Sequence, residues 1–247
     1  MSIYIAEVGH NHLGDTKLCL KMIKKALACG VDGISLQIFH QNYYDNSRPH
    51  RREINRSFYE KVAKYLKKKK ILFGLGVTDS SVVNKFSNLK IDFWKILSYE
   101  FYNDNLIKAA LKTKKKVYLS TGVASTKDIK KVSKKYKGIN FMHTTLSADI
   151  NKANIMAIDT MKNIIKNKKI SFTLHSENDE VIISAISLGA DPIFFYVKND
   201  DKRFYPDDKH AIKLNELRSK IKLWKKIKYS MGDGIKRRLS VPKWVHA

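Results

Sequence analysis

The sequence is poor in cysteine and in long apolar runs. Its 247 residues include two cysteines, Cys19 and Cys29, so a disulfide-stabilised secreted framework is not indicated. They lie in one predicted helix, roughly 15 Å apart along its axis, which is too far for a disulfide between them. No stretch approaches the ~18 apolar residues of a membrane span, and the N-terminus lacks the basic and apolar regions of a signal peptide. We therefore expect a cytoplasmic protein with no membrane span.

Acidic residues are scarce. The 23 Asp and Glu residues are outnumbered by 48 Lys and Arg residues, which gives a formal net charge of +25 at pH 7. Such a charge suggests a nucleic-acid or anionic-surface binder, and this is one hypothesis. However, the basic residues form short runs along the chain near the ends of predicted helices, at 67–70, 114–116, 134–137 and 166–169. Dispersed runs without a zinc-finger or aromatic RNA-binding signature are typical of a solvated surface, so we expect no nucleic-acid partner.

Proline and glycine are also few, with four and 11 residues respectively. No segment rich in proline, glycine or serine divides the chain. With 43% hydrophobic and 11% aromatic residues, the chain can bury a sizeable core and is too apolar to be disordered. We therefore predict a single domain over 1–247, with a short basic tail from about residue 232.

Short β-branched runs alternate with longer helical patterns. After the first run, Asp15 is a predicted helix N-cap, and apolar residues at helical spacing continue as far as Gly30. The eight predicted strands are Ile3–Val8, Gly33–Phe39, Ile71–Leu75, Phe93–Leu97, Lys116–Leu119, Ile139–His143, Ile170–Leu174 and Pro192–Tyr196. A final helix is predicted over Lys213–Lys228. Eight strand–helix units in about 250 residues predict an α/β fold of the (β/α)8 TIM-barrel type, with a doubly wound open sheet as the alternative.

Polar residues follow the same end of successive predicted strands. They are Glu7, Gln37, Ser98, Glu100, Ser120, His143 and His175. In a (β/α)8 barrel the carboxyl ends of the strands form the mouth at which functional residues gather. This clustering therefore favours the barrel over the open sheet.

Five motifs occur in order at or near these strand ends. They are Ala6-Glu7-Val8-Gly9 with Asn11-His12-Leu13-Gly14, Trp94 to Glu100, Leu119 to Ala124, Pro206-Asp207, and Gly232 to Lys236. Together they resemble the barrel domain of the N-acetylneuraminate (sialic acid) synthase family, from about residue 3 to about residue 235. Many members also carry a C-terminal antifreeze-like domain, which we expect to be absent because the sequence stops at Ala247.

The resemblance implies a reaction in surface carbohydrate biosynthesis. Members of the family condense phosphoenolpyruvate with an N-acylated hexosamine or related aldehyde sugar, release phosphate and form a 2-keto sugar acid. This chemistry needs cationic and hydroxyl groups for the anion, a divalent metal (Mn or Mg) to polarise the aldehyde, and carboxylates to move protons. The implied partners are phosphoenolpyruvate and an amino-sugar aldehyde, and a homodimer is compatible with the resemblance.

The resemblance also assigns roles to single residues. Glu7 matches a catalytic position where it would act on a hydroxyl group or a water, and Lys95 matches one where its ammonium would meet phosphoenolpyruvate. The implied substrate contacts are Gln37, Ser98, Glu100, Ser120, Thr173 and Asp207. His175 matches the first metal histidine, and His143 on the neighbouring strand is a weaker candidate. The alternative is structural: Lys95 would be a barrel lysine paired with Glu7 or Glu100, and the histidines would be satisfied core residues.

The family pattern is broken at several positions. Ser35 stands where the family has a lysine for phosphoenolpyruvate, and Tyr196 stands where it has a second metal histidine. The other departures are Leu75-Gly76-Val77 for a Ser-Thr-Pro motif, Leu146 and Ala148 for an asparagine and a tyrosine, and Leu174 for an aspartate. A lost charge-assisted hydrogen bond costs ~1.5–3 kcal/mol, so several such losses would lower both affinity and rate.

Two interpretations of these departures follow. The protein is either a divergent enzyme of the family or a catalytically degenerate barrel that binds a sugar phosphate or a partner protein. In the first case, His10, His40 or the arginine-rich stretch Arg48 to Arg56 would supply groups that replace the missing ones.

Overall fold

The computed structural model describes residues 2–166 and 169–238. They form a closed barrel of parallel strands that is covered outside by helices. The strands are Tyr4–Gly9 (β1), Gly33–Ile38 (β2), Leu72–Val77 (β3), Phe93–Ile96 (β4), Lys116–Ser120 (β5), Ile139–His143 (β6), Ser171–Thr173 (β7), Ile193–Lys198 (β8) and Ile212–Lys213 (β9). The helices are Thr16–Ala28 (α1), Arg56–Lys68 (α2), Ser80–Phe86 (α3), Asp104–Lys112 (α4), Thr126–Lys135 (α5), Ala157–Ile164 (α6), Val181–Ser187 (α7) and Leu217–Ser230 (α8). Strands β1 to β8 pair in order, and β1 also pairs with β8, which closes the barrel. The predicted (β/α)8 TIM barrel is confirmed.

The predicted strand bounds agree with the structure to within two residues at each end. The predicted start of the last helix at Lys213 is wrong. Ile212–Lys213 forms β9, which pairs in parallel with the end of β8, and α8 begins only at Leu217. The physical reason is the alternation at 212–214: Ile212 and Leu214 are buried while Lys213 is exposed, which is the period of a strand. Residues 167–168 of one predicted lysine run, and 239–247 of the predicted tail, lie outside the described residues.

Helix α1 illustrates how the outer layer forms. The Asp15 side chain accepts hydrogen bonds from the backbone N–H groups of Lys17 and Leu18, so the predicted N-cap is confirmed. One face of the helix then packs on the barrel through Leu18, Cys19, Met22, Ile23 and Ala26. None of the helices described here has both the length and the apolar character that crossing a bilayer requires.

The lower part of the barrel interior is filled by a small apolar cluster, which we call the basal layer. It consists of Ile5, Phe93, Tyr118, Met142 and Phe194. Its three aromatic rings meet at steep angles with centroids 5.3–5.6 Å apart, a favourable edge-to-face arrangement. Gly74 leaves room for this packing, because a Cβ at that position would lie 2.1 Å from an atom of the Phe93 ring. The basal layer supports the side chains that follow it towards the mouth.

Candidate functional site

The next inward-facing positions towards the mouth carry polar side chains, which we call the polar layer. Alternate residues of a barrel strand point inward, so Glu7 follows Ile5 on β1 and Lys95 follows Phe93 on β4. The polar layer consists of Glu7, Ser35, Lys95, Ser120, Thr173 and Tyr196, each at most 5% exposed. The structure thus brings both predicted catalytic residues together with two of the predicted substrate contacts.

Glu7 and Lys95 form a buried ion pair across the barrel. The Lys95 ammonium donates a hydrogen bond to Glu7 Oε2. Lys95 Nζ also lies 5.4 Å from the ring centroid of Phe194 and 5.5 Å from that of Tyr196, so cation–π attraction adds to the pairing. Among the described residues, Glu7 Oε1 has no hydrogen-bond partner. Such a pair adds little net stability, because desolvation offsets its attraction, but neither charge can be removed alone without a large cost.

Tyr196 extends over this pair towards β2. Its hydroxyl oxygen accepts a hydrogen bond of 2.7 Å from Gln37 Nε2, so the predicted substrate contact Gln37 is engaged by the protein itself. Gly9 lies directly under the ring and has φ +55°, and a Cβ there would be 2.9 Å from Tyr196 Cε1. Both the backbone conformation and the close contact therefore require glycine at position 9.

Three predicted hydroxyl contacts lie close to the same interior. Ser98 Oγ accepts a hydrogen bond of 3.1 Å from the backbone N–H of Gly122. A Cβ at Gly122 would lie 2.7 Å from that oxygen, so glycine permits the approach. Ser120 and Thr173 both direct their hydroxyl groups at the sulfur of Met142. Because a thioether is a weak acceptor, these hydroxyl groups remain available to a stronger one such as a phosphate oxygen.

Glu100 and the arginine-rich stretch lie at the rim. Glu100 is half-buried and accepts a hydrogen bond of 2.8 Å from Asn103 Nδ2. Arg48 pairs with Asp45, and Arg56 pairs with Glu60, at 3.3 and 2.9 Å respectively. These two arginines are therefore engaged locally.

The aromatic segment after β2 packs on the end of β1. His10 is buried against Phe39 and Tyr43, with ring centroids 4.7 and 5.2 Å away. The Arg51 guanidinium lies 5.1 Å from the Tyr43 ring centroid. His40 is exposed, and its backbone N–H donates to Thr78 Oγ1. Two of the residues that could replace missing family groups, Arg51 and His10, thus lie in one aromatic cluster with Phe39 and Tyr43.

Asp207 reaches the site from the segment that follows β8. Asn11 Oδ1 accepts a hydrogen bond from the Asp207 backbone N–H at 3.1 Å, and Asn11 Nδ2 donates to the Val197 carbonyl at 2.8 Å. Asn11, to which sequence reasoning assigned no role, therefore fixes this segment to the end of β1. Asp207 Oδ2 has no hydrogen-bond partner within residues 2–166 and 169–238. Burial, followed by the nearby Glu7 carboxylate, raises the pKa of Asp207 to about 7.

This raised pKa makes the stability of the protein depend on pH. In the folded chain the Asp207 carboxyl group holds its proton more tightly than in the unfolded chain, where its pKa has the ordinary value of 3.8. The contribution of Asp207 to the free energy of unfolding therefore falls as pH rises from about 4 to about 7. The Asp207→Asn variant lacks this carboxyl group. Its free energy of unfolding, relative to that of the wild type, should therefore increase by about 1 kcal/mol or more between pH 5 and pH 8. Urea unfolding at both pH values measures the difference, with exposed Asp159→Asn as the control; an equal difference at both pH values would contradict the expectation.

Two histidines flank Tyr196. The ring centroid of His175 lies 5.5 Å from that of Tyr196 and 4.9 Å from that of His210. His175 Nδ1 and His210 Nε2 are buried and make no hydrogen bond in the described part of the chain. Burial, and after it the neighbouring positive groups, holds the pKa of His175 well below 6.5 and lowers that of His210 to about 4, so both rings are neutral at pH 7. Sequence reasoning missed His210, although it lies only three residues after the Pro206-Asp207 motif.

His143 has a different environment. Met142 points into the barrel, so the next side chain on β6 points out. His143 Nε2 lies 3.0 Å from the Ala153 carbonyl oxygen, and the ring stacks on Phe172. The structure therefore separates His143 from His175 and supports the alternative that it is a satisfied core histidine.

The side chains around His175 do not match a divalent-metal site. Among the described residues, no three His, Cys, Asp or Glu side chains are arranged to hold a metal ion. The position expected for the second histidine carries the Tyr196 phenol, whose hydroxyl is bonded to Gln37. The Lys95 ammonium is also close enough to disfavour positive charge on His175 and His210. The metal inferred from the sequence resemblance thus lacks a matching donor set.

A closed eight-stranded parallel barrel, with charged and polar side chains at the carboxyl ends of its strands, defines a protein of the TIM-barrel class. Comparison with known proteins identifies the family more closely. The NeuB family model matches residues 22–236, and the chain belongs to that family.

Individual relatives agree with this assignment. N,N'-diacetyllegionaminic acid synthase of Campylobacter jejuni is 26% identical, with 96% of this chain and 79% of that protein covered. N-acetylneuraminate-9-phosphate synthase of Mus musculus is 22% identical, with 95% of this chain and 72% of that protein covered. The crystal structure of N-acetylneuraminic acid synthetase from Leptospira borgpetersenii, solved with citrate, superposes with a TM-score of 0.87 at 26% identity. That match covers 97% of this chain and 88% of the other.

Proposed function

We propose that this protein condenses phosphoenolpyruvate with an N-acylated hexosamine or a related aldehyde sugar, forming a 2-keto sugar acid and releasing phosphate. Membership of the NeuB family, whose relatives include synthases of legionaminic and N-acetylneuraminic compounds, supports a synthase role in sugar-acid biosynthesis. The observation that carries the proposal is the buried Glu7–Lys95 pair at the carboxyl ends of the strands. Burying a lysine is costly, and a buried charged pair at the carboxyl ends of barrel strands is a candidate functional site.

Lys95 is the proposed anchor for the anionic substrate. It is the cation of the polar layer, and Glu7 orients its ammonium group. The carboxylate or phosphate of phosphoenolpyruvate would bind this ammonium together with the hydroxyl groups of Ser98 and Ser120. Ser35, which replaces a second lysine, offers a buried hydroxyl group with no partner among the described residues. Neutral donors thus replace part of the positive charge, which weakens substrate binding without removing every contact.

Glu7 is the proposed acceptor of a proton during phosphate release. Its Oε1 atom is free to accept a hydrogen bond from a water molecule. When that water adds to C2 of phosphoenolpyruvate, Glu7 Oε1 can take the proton that the water loses. Asp207, Glu100, His175 and His210 surround the mouth with groups suited to sugar hydroxyls. Because Glu7 and Lys95 are 0% and 2% exposed, substrate reaches them only when side chains nearer the mouth move aside.

A second candidate function is binding without condensation. The observation that favours it is Ser35 at the position of the expected lysine, together with complete burial of the Glu7–Lys95 pair. A degenerate barrel of this kind would bind a sugar phosphate or a partner protein and would not use phosphoenolpyruvate.

Phosphate release distinguishes the two candidates. The purified protein is incubated with phosphoenolpyruvate and a panel of N-acylated hexosamines, with and without Mn²⁺ or Mg²⁺, and inorganic phosphate is measured. We expect release only when phosphoenolpyruvate and a suitable aldehyde sugar are both present. Glu7→Gln should lose this release, and the matched control Glu60→Gln, a change on the outer surface of α2, should keep it.

A thermal titration with phosphoenolpyruvate alone completes the test. Binding to the folded state must raise the unfolding midpoint. If no sugar in the panel gives phosphate release and the midpoint does not move, the condensation is excluded and the degenerate barrel is the better description.

A further inference from the structure

Tyr196 occupies the position where the family resemblance expects a second metal histidine, next to His175 at the top of the barrel. We propose that the Tyr196 hydroxyl group replaces a divalent cation and activates the aldehyde by donating a hydrogen bond to its oxygen. This inference rests on the proposed condensation and assigns a further catalytic residue to it. The substrate group recognised is the carbonyl oxygen of an aldehyde sugar.

The hydrogen bonding of Tyr196 leaves its proton free for this role. In the described part of the chain, its hydroxyl makes one hydrogen bond, in which it accepts from Gln37 Nε2 at 2.7 Å. An amide NH₂ group cannot accept a proton, so the hydroxyl hydrogen must point elsewhere. A buried hydroxyl group held in this way lacks an acceptor until a ligand supplies one.

The ring is also held firmly in place. His210 packs against it at 88° with centroids 4.9 Å apart, and Gly9 lies in close contact beneath it. A donor that is positioned before the reaction stabilises developing negative charge without reorganisation, as in an oxyanion hole. Lys95 Nζ lies 5.5 Å from the ring centroid and is paired with the Glu7 carboxylate.

The same surroundings are unfavourable for a metal ion. Burial, and then the Glu7 carboxylate, holds the pKa of Tyr196 well above 10, so the side chain stays a neutral phenol. A neutral phenol is a hydrogen-bond donor rather than the anionic oxygen ligand that a hard divalent cation prefers.

In the proposed step, Tyr196 supplies a proton to the aldehyde oxygen and Glu7 restores it. C3 of phosphoenolpyruvate forms a bond to the aldehyde carbon, and the carbonyl electron pair moves to oxygen, which takes the Tyr196 proton. Water adds to C2 and loses a proton to Glu7 Oε1, which returns it to the Tyr196 oxygen. The resulting C2 hydroxyl loses its proton as the C2–O bond to phosphate breaks, which gives the 2-keto acid and hydrogen phosphate.

Three measurements on the full chain test the assignment. The first compares phosphate release by EDTA-treated wild type with release after Mn²⁺ or Mg²⁺ is added, and we expect no more than a twofold difference. The second compares Tyr196→Phe with Tyr229→Phe, an exposed tyrosine on α8. We expect kcat to fall about 100-fold or more in Tyr196→Phe only, the usual effect of losing one such donor, with KM for phosphoenolpyruvate changed less than threefold.

The third measurement uses Mn²⁺ alone as a probe. Titration of the protein into Mn²⁺, followed by electron paramagnetic resonance, should leave the signal of free Mn²⁺ undiminished. Metal-dependent release, stoichiometric Mn²⁺ binding that Tyr196→Phe or His175→Ala removes, or near-normal kcat in folded Tyr196→Phe would each overturn the proposal. If wild type releases no phosphate under any condition, the proposed condensation itself fails, and the Mn²⁺ titration still decides whether this position binds a metal.

Discussion

Lys95→Met is expected to lower the free energy of unfolding by about 3–5 kcal/mol and to abolish phosphate release. Methionine resembles lysine in length but carries no charge, so the Glu7 carboxylate would remain buried without its ion-pair partner. The variant also removes the cation that we assign to phosphoenolpyruvate. Urea unfolding at pH 7 measures the first effect, and the phosphate assay measures the second.

A double variant separates the buried charge from the loss of packing. In Glu7→Gln combined with Lys95→Met, both charges are gone, so the protein should be more stable than with Lys95→Met alone. Lys67→Met on the exposed face of α2 is the matched control and should change the free energy of unfolding by less than about 0.5 kcal/mol. If Lys95→Met is as mild as Lys67→Met, the buried ion pair does not have the energetic role described above.

Gly74→Ala is expected to destabilise the protein by about 3 kcal/mol, at the upper end of the usual range for overpacking. The added Cβ would lie 2.1–2.3 Å from three atoms of the Phe93 ring. The ring cannot move away easily, because Tyr118 and Phe194 pack on it. Chemical denaturation of the purified variant gives the size of the effect.

A second substitution tests the cause. Phe93→Leu removes the ring that the new methyl group meets, so Gly74→Ala should cost much less in a Phe93→Leu background than in the wild type. Gly76→Ala on the same strand is a milder control, since its Cβ would lie 2.9 Å from Gln37 Cγ, a less severe approach than 2.1 Å to the Phe93 ring. Simple additivity of Gly74→Ala and Phe93→Leu would show that the contact with the Phe93 ring is not responsible.

The fold was largely predictable because the barrel has a regular sequence period. Eight runs such as Ile139–His143 alternate with helices that begin at recognisable caps, including Asp15. The start of α8 was not predictable in the same way. Residues 212–214 alternate over only three positions, and it is the pairing of Ile212 with Val197 that makes them a strand. That contact depends on the tertiary structure.

The site was predictable where a motif places a residue at a strand end. Glu7 and Lys95 were both expected at the mouth, and the structural alternative paired Lys95 with Glu7 or Glu100. The structure places Lys95 in contact with Glu7. His210 could not be found this way, because it stands outside the motifs and reaches His175 only through the segment after β8. The bond between Gln37 and Tyr196 joins strands 159 positions apart in the sequence, and no local pattern reports such a contact.

The basal layer determines the side from which small molecules can reach the polar layer. Because its rings fill the lower barrel, the polar layer can be approached along the barrel axis only from the mouth. In the proposed condensation, the water molecule that adds to C2 would therefore enter through the mouth before the sugar, or together with it. Phosphate released in that reaction would leave by the same route. The architecture of the barrel would then set the order in which the substrates arrive and the products leave.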